Sequence, residues 1–159
     1  MHHPERVWRR LLPLYNSIGH LARRLDQKIG TVFQNNRQDM ELTRAQFLVL
    51  VIASLSPGLE QAELAERASI DPATAGAVIS RLGRLGLIRR SRSPRSSRGF
   101  VIDATAPGCA IIEEHIAVLD KIQNEVLAPL GPDERLMLLR LLSKLVGLNN
   151  SYHQTDAET

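Results

Sequence analysis

The sequence predicts a mainly α-helical fold: a winged helix-turn-helix with a two-stranded β-wing, flanked by N- and C-terminal helices that form a helical dimerisation region. The observations behind it are a helix-turn-helix pattern over 61–85, two short strand patterns directly after it, and an arginine-rich loop between those strands. We therefore divide the chain into dimerisation helices (1–36 and 105–150), a winged helix-turn-helix domain (37–104) and a flexible tail (151–159).

The first long helix is predicted from about Pro13 to Asn36, because apolar residues recur there at spacings of three and four. Thr43 then begins a second helix, and Gln46 is placed to complete a capping box with it. This helix is apolar nearly all round from Phe47 to Ile52, so we expect it to be buried.

The helix-turn-helix consists of a short helix from Gln61 to Ala68, a turn at Ser69-Ile70, and a second helix that runs to about Leu85. Asp71 is a good N-cap for the second helix, and Pro72 suits its first position. One face of this helix is apolar: Val78, Ile79, Leu82 and Leu85. The opposite face carries small, polar and basic side chains: Thr74, Ala77, Ser80, Arg81 and Arg84.

Two short strands follow, about Leu87 to Arg92 and Gly99 to Ala104. The loop between them is polar and poor in packing groups, so we expect it to project into solvent. Thr105 caps a further helix that ends near Leu127, and a last helix opens at Pro132. That last helix has more leucine than one face needs, which favours a buried contact with another subunit.

A basic window is the main electrostatic feature of the chain. No acidic residue lies between Asp71 and Asp103, whereas seven arginines fall within 81–98. Outside that window, the chain has 13 basic and 17 acidic residues. Such an island on an otherwise acidic protein is typical of a surface that binds a polyanion, and double-stranded DNA is the leading candidate. The alternative is a solvated charged surface.

Composition excludes several other classes of protein. One cysteine among 159 residues cannot form an internal disulfide and suits a cytoplasmic protein. The apolar runs are short and broken by charge, so no membrane association is expected. We predict neither an enzyme nor a metal or cofactor site, because no histidine pair has metal-ligand spacing and no phosphate-binding loop or nucleophile motif is found.

The chain resembles the multiple-antibiotic-resistance regulator (MarR) family of bacterial winged-helix repressors. The matching segments are Leu42-Thr43-Arg44-Ala45-Gln46-Phe47, Gln61-Ala62-Glu63-Leu64-Ala65-Glu66-Arg67, Asp71-Pro72-Ala73-Thr74, Arg81-Leu82 with Gly86-Leu87-Ile88, and Thr105-Ala106-Pro107-Gly108. This resemblance implies a homodimer that binds a palindromic operator, with the helix from Asp71 to Leu85 in the major groove.

The same resemblance implies which residues contact DNA. By position, Ala73, Thr74, Ala77 and Arg81 of the recognition helix are nearest the DNA, together with Arg98 of the wing. Arg84 and Arg95 are added as DNA-binding candidates because they belong to the basic window. Arg98 falls where the family's wing-tip arginine enters the minor groove. The family usually has an aspartate two residues earlier, whereas this chain has Ser96. Either Arg98 is therefore less fixed, or Arg95 shares its task.

Members of the family commonly release DNA when a small molecule, often an aromatic acid or its coenzyme A thioester, enters a cleft beside the DNA-binding region. The candidate effector residues here are Asn16, His20, Arg23, Gln27, Arg44 and Phe47. The first four recur at spacings of three or four, so they are expected to share one face of the first helix. A polar strip on the outer surface of that helix is the alternative.

Other possibilities stay open from the sequence. One is a redox-sensing regulator that acts through Cys109, which lies in the first turn of a helix. Another is a helical dimer whose winged domain binds a protein. Activation of transcription is the alternative to repression.

Overall fold

The computed structural model describes residues 15–37, 40–95 and 99–148. The predicted tail (151–159), Ser96 and Arg98 lie outside this part of the chain. The elements, in order, are α1 (Ile18–Asn36), α2 (Arg44–Leu55), β1 (Leu59–Glu60), α3 (Gln61–Arg67), α4 (Pro72–Arg84), β2 (Ile88–Arg92), β3 (Phe100–Ala104), α5 (Ala106–Leu127) and α6 (Pro132–Leu145). The predicted mainly α-helical winged fold is confirmed.

Helix α1 begins later than its apolar pattern predicted. Ser17 has an extended backbone, and its hydroxyl accepts a hydrogen bond from the amide of His20 at 3.3 Å. A side chain that caps the first turn in this way fixes the start of the helix at Ile18. Asn16 consequently lies before the helix, and the prediction that it shares a helix face with His20 is wrong.

Helix α2 has the predicted start but only part of the predicted burial. Thr43 and Gln46 form the capping box, with hydrogen bonds of 3.0 and 3.2 Å. Phe47 and Leu50 are buried, whereas Leu48 is 42% exposed. The prediction of burial all round is wrong because α3, α4 and β3 pack against only part of the helix surface.

The helix-turn-helix closely follows its local signals. Asp71 caps α4, Pro72 occupies the first turn, and Gly86 ends the segment with a φ of 72°. Ser69, in the turn, has a φ of 52°. Helix α4 buries Val78, Ile79 and Leu82 as predicted, but Leu85 is its C-cap and is 39% exposed, so it does not belong to the buried face.

The sheet contains one strand more than the predicted pair. Strand order is β1-β3-β2, all antiparallel, and Leu59 of β1 pairs with Ile102 of β3. Strand β2 pairs with β3 from Ile88 opposite Ala104 to Arg92 opposite Phe100. The base of the wing is thus bonded into the domain through β1, and the completely buried Ile102 joins it to the core.

The chain divides into two compact units, Met1–Ile122 and Gln123–Thr159. The first contains the winged helix-turn-helix. In the second, the carboxylate of Glu134 accepts a hydrogen bond from the amide of Gly131 at the start of α6. Helix α6 has no buried residue in the single chain. No helix in the described residues is long and apolar enough to cross a membrane.

Candidate nucleic-acid interface

The start of α4 is organised by Asp71. One oxygen of its carboxylate accepts the backbone amide of Thr74 at 2.9 Å, and the other accepts the Thr74 hydroxyl. The hydroxyl and amide of Thr74 together hold the pKa of Asp71 below its usual value. Because the Thr74 hydroxyl donates its proton to Asp71, it faces any partner as a hydrogen-bond acceptor.

The outer face of α4 is small at one end and basic at the other. The predicted contact residues on this helix are all exposed: Ala73, Thr74, Ala77, Arg81 and Arg84. Burial of Ala75 and Ile79 fixes the rotation of the helix, so this face is turned to solvent as a consequence of core packing. A helix of this kind fits the major groove, since its small residues permit close approach to the base edges.

The arginines of β2 alternate between two faces of the wing. Arg90 and Arg92 lie against Phe100 of β3, with their guanidinium carbons 5.4 and 5.0 Å from the ring centroid. Arg89, on the other face, pairs with Asp103 at 3.6 Å. Phe100 was not among the predicted site residues. The sequence signal for it is the placement of arginines at every second position of one strand, opposite an aromatic residue of the next.

The first residues of the wing loop are packed back onto the domain. Ser93 is buried, and its hydroxyl donates to the carboxylate of Glu60 at 2.8 Å. Arg95 donates to both carboxylate oxygens of Glu63, at 2.8 and 3.1 Å, and to the carbonyl of Gly58 at 3.2 Å. The predicted projection of the whole loop into solvent is therefore wrong for its first part.

This ion pair shifts the pKa of both partners. The hydrogen bond from Arg95, followed by one from the amide of Glu60, lowers the pKa of the Glu63 carboxyl. The same bond raises the pKa of Arg95. Both groups are thus held in their charged forms at neutral pH, when the pair is strongest.

A cleft of about 460 Å³ lies beside the helix-turn-helix. Its apolar wall includes Ile29, Phe33, Phe47, Val51, Leu119 and Ile122. Its polar groups include Arg44 and Arg67. Arg44 is paired with Asp26, whose carboxylate oxygen lies 2.7 Å from the guanidinium. The turn of the helix-turn-helix, Ser69-Ile70, also lines the cleft.

Two of the six candidate effector residues, Arg44 and Phe47, line this cleft. His20, Arg23 and Gln27 do not line it, and neither does Asn16; α1 instead contributes Asp26, Ile29 and Phe33. Those three residues also recur at spacings of three and four, but their positions are offset by one residue from the row that contains His20, Arg23 and Gln27. They therefore lie on a different side of the helix. Periodicity identified the polar row but could not show which row faces the cleft.

Cys109 is partly buried, and its sulfur lies 3.8 Å from the hydroxyl of Ser54. The contact is that of a small packing residue at the start of α5. Among the described residues, no group of three or more histidine, cysteine or acidic side chains is arranged to hold a metal ion.

Comparisons with known proteins agree with this geometry. The family model described as MarR family matches residues 42–100. The transcriptional repressor NicR of Pseudomonas putida is 30% identical over 129 residues, covering 81% of this chain and 82% of NicR. Among solved structures, Bordetella bronchiseptica BpsR, whose DNA binding is regulated by 6-hydroxynicotinic acid, aligns with a TM-score of 0.74 and 32% identity over 80% of this chain and 97% of BpsR. A mutant of Escherichia coli MarR complexed with operator DNA aligns with a TM-score of 0.73 and 29% identity over 83% of this chain and 97% of that one.

Proposed function

Because this chain belongs to the MarR family of transcriptional regulators, we propose that it is a homodimeric repressor that binds a palindromic operator and is released by a small aromatic acid. The observation that carries the proposal is the outer face of α4, where exposed small residues lead to Arg81 and Arg84. The protein acts in the cytoplasm as a regulator and not as an enzyme. Its contacts in the major groove come from Ala73, Thr74, Ala77, Arg81 and Arg84, and Arg98 enters the minor groove.

Exposed leucines on α6 support dimerisation through the terminal helices. Leu136, Leu141 and Leu145 are each at least half exposed in the single chain. Apolar side chains that are exposed in this way are costly to leave in water and are stabilised by contact with a second subunit. In a twofold dimer, two copies of α4 would read the two halves of a palindrome.

Operator binding is tested by fluorescence anisotropy with a duplex from upstream of the protein's own gene and a scrambled duplex of equal length. We expect Arg81→Ala to weaken operator binding by about one to two orders of magnitude, the range for loss of a bidentate base contact. The matched control is Arg24→Ala, which removes the same charge from the exposed surface of α1. Equal losses of affinity in the two variants would mean that Arg81 contributes only its charge. The proposal itself would be contradicted if the unaltered protein bound its own duplex no more tightly than the scrambled one.

The cleft beside α2 supports the effector part of the proposal. Its wall is apolar, as an aromatic ring requires, and Arg44 offers a guanidinium to a carboxylate. Asp26 pairs with that guanidinium. A bound acid would take the place of Asp26 and press on the turn at Ser69-Ile70, which sets the direction of α4. Binding in the cleft would thereby favour an orientation of α4 that fits DNA less well.

We expect 6-hydroxynicotinate, the acid that regulates the similar BpsR, to release DNA from the unaltered protein but not from Arg44→Gln at the same concentration. The reason is that glutamine cannot pair with the carboxylate as a cation does. Titration calorimetry of the free protein measures the effector affinity directly. Arg23→Gln is the matched control, because Arg23 does not line the cleft.

A second control uses the ligand. The corresponding amide, 6-hydroxynicotinamide, keeps the ring and loses the negative charge. If the amide releases DNA as well as the acid does, or if Arg44→Gln responds like the unaltered protein, the role given to Arg44 is wrong.

A further inference from the structure

The junction between β1 and α3 holds the start of the wing loop through several hydrogen bonds. Glu63, at the third position of α3, accepts both Nη groups of Arg95 and also the amide of Glu60. Arg95 reaches on to the Gly58 carbonyl at 3.2 Å. The buried Ser93 accepts the amide of Arg95 at 3.1 Å. The start of the loop is therefore held by hydrogen bonds of both its backbone and the Arg95 side chain.

These bonds leave Arg95 poorly placed to contact DNA. The edge of its guanidinium that bears Nη1 and Nη2 points at Glu63, and each nitrogen donates to one carboxylate oxygen in a bidentate pair. Any phosphate would have to compete with that carboxylate. Glu63 is also an acidic residue beside a basic surface. Its negative charge opposes the approach of DNA, which indicates that the residue has another role.

We propose that Glu63 and Arg95 form a clamp that sets the direction of the wing loop, so that both act on DNA binding as positioning residues. The inference rests on the proposed function, since it presumes an operator for the wing to meet. The clamp is anchored at the start of α3 and acts through Arg95, which is three residues before Arg98 in the sequence. Where the family usually has an acid, this chain has Ser96, and the clamp holds the loop at its first residues instead.

The clamp and simple electrostatics predict opposite effects for Glu63→Gln. Removing a negative charge near DNA should tighten binding if charge alone matters. If the clamp positions the wing, the same change should weaken operator binding about threefold to fivefold, the range of an exposed ion pair. Binding to the scrambled duplex should be unchanged or tighter. Glu66→Gln is the matched control, because Glu66 is an exposed acid on the same helix, and that variant should bind the operator at least as tightly as the unaltered protein.

Arg95→Gln separates positioning from contact. A lost phosphate contact in each subunit of the dimer would reduce the magnitude of the slope of log affinity against log salt by about two, for both duplexes. The clamp predicts an unchanged slope and a loss confined to the operator. The double variant Glu63→Gln with Arg95→Gln should be no weaker than either single variant, because both remove one interaction. Thermal unfolding of each variant, within about 2 °C of the unaltered protein, separates these effects from misfolding.

Three results would overturn the clamp: operator binding by Glu63→Gln that is as tight as that of the unaltered protein, additive losses in the double variant, or a reduced salt slope in Arg95→Gln. Failure of the unaltered protein to prefer its operator is a different result, since it would overturn the proposed function and the clamp with it.

Discussion

Raising the salt concentration from about 50 to about 200 mM is expected to weaken DNA binding by about a thousandfold to ten-thousandfold. Two subunits that together neutralise about six to eight phosphates release a corresponding number of counterions, which gives a slope of log affinity against log salt of about −5 to −7. The cations come from a small region of each subunit. Within the described residues, exposed arginines occur on α4 and on β2: Arg81, Arg84, Arg89, Arg90 and Arg92. Anisotropy titrations at four or more salt concentrations measure the slope.

Strand β2 provides a control for this salt dependence within the wing itself. Arg90→Gln removes one guanidinium from each subunit, so it is expected to reduce the magnitude of the slope by about two if each guanidinium contacts a phosphate. Arg89→Gln should reduce it less, because Arg89 already pairs with Asp103 and its charge is partly neutralised. The scrambled duplex should give a slope close to that of the operator, since phosphate contacts carry no sequence information. A flat salt dependence of the unaltered protein would show that the basic window is not a DNA-binding surface.

The parts of the fold that were predictable from sequence are those fixed by neighbouring residues. The start of α2 follows from Thr43 and Gln46, and the start of α4 from Asp71 and Pro72, because caps act over three residues. The start of α1 was missed because the apolar periodicity extends to residues before Ser17, whereas the Ser17 side chain caps the first turn and makes the helix begin at Ile18. At this position the capping side chain and the apolar periodicity indicate different helix starts, and the structure follows the capping side chain.

What the sequence could not predict depends on residues that are distant along the chain. Strand β1 is two residues long and exists because Leu59 pairs with Ile102. Such a short segment has no pattern of its own. The exposed face of α4 was predictable because the positions of its core residues determine the opposite face. The pairing of Arg95 with Glu63, 32 positions away, was not, since charge indicates attraction but not the partner.

Replacing Gly108 by alanine is expected to destabilise the protein by about 3 kcal/mol, the upper part of the range for overpacking a core. A Cβ at this position would lie 2.1 Å from the carbonyl oxygen of Leu87 and 3.0 Å from a methyl carbon of Leu50. The carbonyl cannot easily move, because it accepts the amide of Thr105 at 3.0 Å. The alanine would gain up to about 1 kcal/mol of helix propensity, which is too little to offset the clash.

Urea unfolding followed by circular dichroism measures this loss, and Gly19→Ala is the matched control. Gly19 lies in α1 with no heavy atom within 4 Å of an added Cβ, so the same substitution there should stabilise the protein by about 0.5 to 1 kcal/mol. The contrast tests the close approach of α5 to the base of the wing, where Thr105 also donates to the Gly86 carbonyl at 2.6 Å. Gly86 and Leu87, which α5 contacts here, connect the end of α4 to the start of β2. Gly108→Ala should therefore also weaken operator binding. If both variants are equally stable, α5 does not pack against Leu87, and the wing is supported only by its strands.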